Sequence, residues 1–184
     1  MNKKRKVGWI SLISALVIVL ILIVLSYSNV TNLIKGLNVG ANDSESSDEM
    51  SDGTKQQVKK VQNTVGKEHQ EIGKLIAAAH KFYNNTTGYG AIKSLDWDEQ
   101  REEAALLINQ LNEEITKIND EALLTDIQKL KNLAEQILNE EEKETVIHIH
   151  RLVHDLDIAL NDYSGYDKIW NVTETLKQPG DKAN

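Results

Sequence analysis

From residue 55 to residue 160 apolar side chains return every three or four positions, and no proline interrupts them. Such steps line one face of an α-helix. No run alternates as a half-buried strand does, so the chain reads as all-α. Val58, Val61, Val65, Ile72, Leu75, Ile76, Ala79 and Phe82 mark a first helix over residues 55–83. A Thr54/Gln57 capping box opens it. Gly66 and Gly73 fall inside the stripe and suggest that its front half is partly a stalk. The second helix starts at an Asp96/Glu99 box and carries Trp97, Ala104, Ile108, Leu111, Ile115 and Ile118. Asn119 or Asp120 caps a third, with Leu123, Ile127, Leu130, Ala134 and Ile137. An Asn139/Glu142 box opens a fourth, with Val146, Ile149, Val153, Leu156 and Leu160, and Gly165 stops it. One apolar stripe does not make a helix stable alone. The expected domain is an antiparallel up-and-down bundle of three to four helices over residues 55–164. Residues 165–184 are expected to pack partly on it through Tyr166, Ile169, Trp170 and Leu176, ahead of a disordered tail that holds the only proline, Pro179.

The other strong constraint lies at the N-terminus. Residues 7–25 are apolar apart from Gly8, Ser11 and Ser14, and no charge falls between Lys6 and Lys35. About 20 apolar residues cross a bilayer as a helix. A transmembrane helix is therefore expected at residues 7–27, with Trp9 and Tyr27 near the membrane–water interfaces. Lys3, Lys4, Arg5 and Lys6 precede it without an acid. Basic flanks stay cytoplasmic, so residues 1–6 are read as cytoplasmic and the helical domain as extracytoplasmic. The competing reading is a cleaved signal peptide, whose apolar core is usually about 7–15 residues. Ser26-Tyr27-Ser28 is its candidate cleavage site. Residues 28–54 read as a flexible acidic linker, since residues 40–53 hold almost nothing that could offset the entropy of ordering.

The net charge is −7; four basic residues and no acids stand in the first 28, so the remainder carries −11. That balance argues against nucleic acid as a partner. There is no cysteine. Thiol catalysis, thiolate zinc sites and a lipid-bearing cysteine are thereby excluded, and helix packing must hold the domain together.

No motif names a reaction, and no cofactor is expected. His148, His150 and His154 cluster on the fourth helix. At about 100° per residue, His150, His154 and Asp157 share one stripe and make a candidate metal set. A di-iron bundle would need Glu-x-x-His pairs, and no histidine here follows a glutamate at that spacing. Residues 84–90, Asn-Asn-Thr-Thr-Gly-Tyr-Gly, form the longest expected connection. Tyr89 and Trp97 beside it, with Tyr166 and Trp170 near the C-terminus, are candidate interface residues in an aromatic-poor chain.

The short basic start, single span, polar linker and helical ectodomain resemble uncharacterised single-pass membrane-anchored proteins of Gram-positive bacteria. The resemblance is one of layout, and a low-GC, Lys-, Asn- and Ile-rich composition accords with it. Stripes and caps without convergent reactive groups are the basis for expecting a non-enzymatic interaction or scaffold module of the cell envelope, anchored at the cell membrane, with an envelope protein or a second copy as partner. The alternatives are a metal- or pH-responsive module built on His150, His154 and Asp157, and an envelope hydrolase.

Overall fold

The computed structural model describes residues 48–162 and 168–177. The expected span at residues 7–27, most of the linker and Tyr166 lie outside them. Among the described residues no helix is long and apolar enough to cross a membrane.

Residues 52–160 form a bundle of five helices rather than the three to four expected. They are α1 (Asp52–Val61), α2 (Gln70–Thr87), α3 (Trp97–Glu114), α4 (Glu121–Asn139) and α5 (Lys143–Leu160). Two-residue strands, β1 (Asp48–Glu49) and β2 (Lys168–Ile169), pair antiparallel and clasp the start of the domain to its end.

The extra helix arises because the expected 55–83 helix breaks. α1 starts earlier than the Thr54/Gln57 box implied, since Ser51 Oγ accepts from Thr54 N at 3.1 Å. A single π-turn, Gln62–Gly66, follows α1, and His69 leaves helical conformation at φ −117, ψ 46 before α2 begins. The cause is a close approach. A Cβ on Gly66 would stand 2.4 Å from the Leu160 carbonyl oxygen at the end of α5. Gln62 Nε2 donates to the Ile158 and Asn161 carbonyls there, both at 2.9 Å, satisfying acceptors that a helix end leaves open. The front segment is therefore no stalk; Val58 and Val61 are buried in the core.

Other boundaries follow from side-chain bonds. Asp96 caps α3 through Asp98 N and Glu99 N, and Asp120 caps α4 through Leu123 N. α2 runs through the polar stretch to Thr87, with the Thr86 and Thr87 hydroxyls bonded back to the Phe82 and Tyr83 carbonyls. The Asn139/Glu142 box does not form. Asn139 is the last residue of α4 and bonds to the Glu135 carbonyl, and Glu142 makes no side-chain cap.

α2 and α5 are antiparallel neighbours, because Gly73 meets Asn161, His80 meets Asp157 and Thr87 meets His150. α4 packs on both α3 and α5. The buried face of α3 is Gln100, Ala104, Leu107 and Leu111, so Ile108 and Ile115 of the expected stripe are only half-buried. Gln100 is wholly buried, and neither end of its amide has a protein partner among the described residues. An unpaired buried amide costs about 1–3 kcal/mol. Gln100→Met, of similar length, should therefore stabilise the domain by about 1 kcal/mol, read as a rise in the urea midpoint at unchanged slope.

Residues 168–177 form a strap across α4 and α5. Ile169 and Leu176 join the core. Two fully buried acids hold the strap by its backbone. Asp155 of α5 accepts from Trp170 N at 2.9 and 3.1 Å and from Val172 N at 3.2 Å. Asn171 between them has φ 56, a left-handed bend that brings both N–H groups to one carboxylate. Asp126 of α4 accepts from Glu174 N at 2.9 Å, Thr175 N at 2.8 Å and the Thr175 hydroxyl at 2.6 Å. Burial nevertheless raises the Asp126 carboxyl above its usual range, outweighing these hydrogen bonds.

Candidate functional site

α5 turns His150 and His154 toward α2, and α2 supplies a third imidazole, His80. The His80 ring centroid lies 5.9 Å from that of His150 and 5.2 Å from that of His154. His148 is exposed and outside the group. Spacing on α5 brings the first two together; the third comes from a helix about seventy residues earlier in the chain.

Each ring presents Nδ1 to an oxygen. His80 Nδ1 donates to Asp157 Oδ2 at 2.8 Å, with both side chains almost fully buried. Asp157 Oδ1 accepts from Asn161 Nδ2 at 2.6 Å. His154 Nδ1 meets Asp155 Oδ1 at 3.1 Å, the same carboxylate that holds the strap. His150 Nδ1 meets Thr87 Oγ1 at 3.1 Å, and that hydroxyl donates its own proton to the Tyr83 carbonyl at 2.7 Å. Thr87 is thus the acceptor and His150 carries its proton on Nδ1. Its Nε2 lone pair is buried and has no protein partner among the described residues. His80 and His154 make further contacts besides these.

The His150 imidazole is lowered to about 4 by burial first, and then by His80, His154 and Arg151 around it. It is neutral at pH 7. The unfolded chain, near 6.5, therefore binds more protons than the folded one between pH 6.5 and about 4. Stability is full above that window and falls as pH drops through it. Urea unfolding at pH 7 and pH 4.5 should show His150→Gln losing about 2 kcal/mol less than wild type on acidification.

Asp157 of the expected metal set stands behind His80, engaged by it and by Asn161. Among the described residues no group of three or more histidine, aspartate or glutamate side chains is placed to hold a metal ion. The expected interface residues divide. Trp97 opens α3, half-buried against the core. Trp170 lies under the Arg151 guanidinium, 4.5 Å from its ring centroid, and is bound by Asp155 through its backbone. It serves the strap. Tyr89 is different. It is 73% exposed and sits at φ 54, ψ 25 in the 3-10 turn Gly88–Ser94.

Two further polar places are present. An open depression of about 290 Å³ lies between the start of α2 and the end of α3. Lys67, Glu68, Glu71, Glu114 and Lys117 ring it with mixed charge. Near α2, burial and then Glu99 raise the Glu103 carboxyl, while burial and then Glu103 raise the Tyr83 phenol.

Sequence reading missed His80, Asp126 and Asp155. Of the acids, Asp126 left a signal and Asp155, off the α5 stripe, did not. Asp126 stands three residues after Leu123 and four before Leu130, at the edge of the arc that the apolar stripe buries. His80 stands four residues after Ile76 of the α2 stripe, which places it beside the apolar face but does not say what it meets. Compared with protein-family models, curated proteins and solved structures, the chain matches none.

Proposed function

We propose that this protein is a membrane-anchored interaction module of the cell envelope, non-enzymatic, with its helical bundle outside the cytoplasm. The uncharged run at residues 7–27 and the basic residues before it support the anchor and its orientation. The observation that carries the interaction role is Tyr89. A bulky side chain in the left-handed region costs about 1–2 kcal/mol relative to the right-handed one. Here that cost supports an aromatic ring held 73% exposed at the longest connection of the bundle. Strain kept at an exposed aromatic fits a recognition tip. The partner is another envelope protein or a second copy of the chain.

Two experiments test this reading. The chain has no cysteine, so Asn109→Cys, on the exposed face of α3, gives a single label site. An impermeant maleimide should react with it in intact cells; reaction only after permeabilisation would reverse the orientation. Tyr89→Gly should leave stability unchanged or raise it by up to about 1 kcal/mol, because glycine tolerates this conformation. Chemical cross-linking in membranes should nevertheless lose its principal adduct. An adduct unaffected by Tyr89→Gly would remove Tyr89 from the interface.

A further inference from the structure

We propose that the seam between α2 and α5 is an acid-sensitive latch on the Tyr89 turn: protonation of His150 at Nε2 frees the last turn of α2 and the Gly88–Ser94 turn from α5. The inference rests on the reading of Tyr89 as the recognition tip and adds how that tip is controlled. α5 pins this region at both ends. Thr87, the last residue of α2, accepts from His150 Nδ1 at 3.1 Å. At the other end Lys143 Nζ donates to the Lys93 carbonyl at 2.8 Å. Between the two pins Tyr89 and Gly90 leave the right-handed region, at φ 54 and φ 85. A non-glycine backbone held so persists only while its surroundings fix it.

The seam has no place for a charge on His150. Its Nε2 is buried and has no protein partner among the described residues, so an added N–H would be a buried donor without an acceptor. The charges that bear on it are His80 of α2, whose ring centroid is 5.9 Å away, and His154 and Arg151 of α5. Burial first, and then these neighbours, lower the His150 imidazole to about 4. The carboxylates of the seam, Asp157 and Asp155, are bonded to His80 and His154. On α3, Glu103 faces Tyr83, with Glu99 beside it. Once Thr87 has let go, the His150 ring reaches water and titrates near its ordinary value. The open form therefore binds a proton that the closed form refuses, and acid favours opening. The Asp126 and Glu103 carboxyls work the other way. Burial raises them, so they take up protons in the closed fold and do not open it.

Between pH 7 and pH 4.5 the equilibrium constant for this opening should rise about 50-fold. Hydrogen exchange of the full chain in detergent reads it, after correction for the intrinsic pH dependence of exchange. Amides of residues 84–88, protected at pH 7, should lose measurable protection at pH 4.5, while those of α4 keep theirs. His150→Gln keeps a donor for Thr87 and does not titrate, so residues 84–88 should stay protected at both pH values. Protection that persists there in the wild type at pH 4.5 would overturn the proposal, whether or not the variant folds. So would an equal loss in His150→Gln, or an equal loss across α4, which is global unfolding. In isolated membranes, a photo-cross-linking benzoylphenylalanine in place of Tyr89 should give its adduct at pH 7 and lose it at pH 4.5, and adding His150→Gln should restore it. An adduct kept at pH 4.5 with His150 in place, or lost in both proteins, would overturn control of the tip by His150. No adduct at pH 7 would refute the tip reading alone, because the exchange result does not depend on it.

Discussion

Gly66→Ala is expected to destabilise the domain by about 3 kcal/mol, a fall in melting temperature of about 10 °C. The new Cβ would stand 2.4 Å from the Leu160 carbonyl oxygen, 3.0 Å from its carbon and 3.2 Å from its Cα. All three are backbone atoms at the end of α5 and cannot rotate away. Either the π-turn or the α5 terminus must shift. A shift would also strain the two bonds from Gln62 Nε2 to the Ile158 and Asn161 carbonyls, worth about 1 kcal/mol each. Gly73→Ala is the internal control. Its Cβ would meet Asn161 Oδ1 at 2.8 Å, the end of a side chain that can turn, and alanine gains about 1 kcal/mol in helix propensity over glycine. The net effect there should stay within about 1 kcal/mol. Equal effects at the two glycines would mean that the 62–66 segment does not dock on α5.

The second large effect is expected at Asp155. Its carboxylate is fully buried and accepts from Trp170 N, Val172 N and His154 Nδ1. Hydrogen bonds to a charged group contribute about 1.5–3 kcal/mol each, and a donor left buried without a partner costs a similar amount. Asp155→Ala should therefore release the first half of the strap, residues 168–172, rather than leave its donors buried. The loss, about 3 kcal/mol, includes the burial of Ile169. Hydrogen exchange reads this locally. Amides of residues 168–172 should exchange freely, while Glu174 and Thr175, held by Asp126, and α2 to α5 keep their protection. Asp155→Asn, which keeps one acceptor oxygen but turns an NH₂ group toward N–H donors, should lose about half as much. Full strap protection in Asp155→Ala would show that apolar packing alone holds it.

These two sites also mark where sequence reading stops. The helices were legible because their information is local: stripes at three- and four-residue steps, and capping acids such as Asp96 and Asp120 within four residues of the amides they bind. The break after α1 was not, since the reason for Gly66 is a carbonyl on Leu160. Gly66 in a weak stripe reads as a poor helix former, although its lack of a side chain is what lets two backbones touch. The Asn139/Glu142 box had the right spacing, but α4 simply continues through Asn139. For the histidines, i, i+4 spacing placed His150 beside His154. Asp157 also matched the stripe, yet its partner His80 lies across the α2–α5 contact. A stripe shows which side chains share a face, and the opposing helix decides which of them meet.

Tyr89 differs from the other aromatics in its exposure. Trp97 and Trp170 are half-buried on the bundle, whereas Tyr89 keeps 73% of its surface exposed while making a contact of its own. Photo-cross-linking tests that difference directly. With benzoylphenylalanine in place of Tyr89 in the full-length chain, irradiation of intact cells should yield one discrete heavier species in the membrane fraction. The same probe in place of Asn109 should yield none. No adduct from position 89, or an equal one from both positions, would contradict the account of this bundle as an anchored interaction module with its recognition tip at Tyr89.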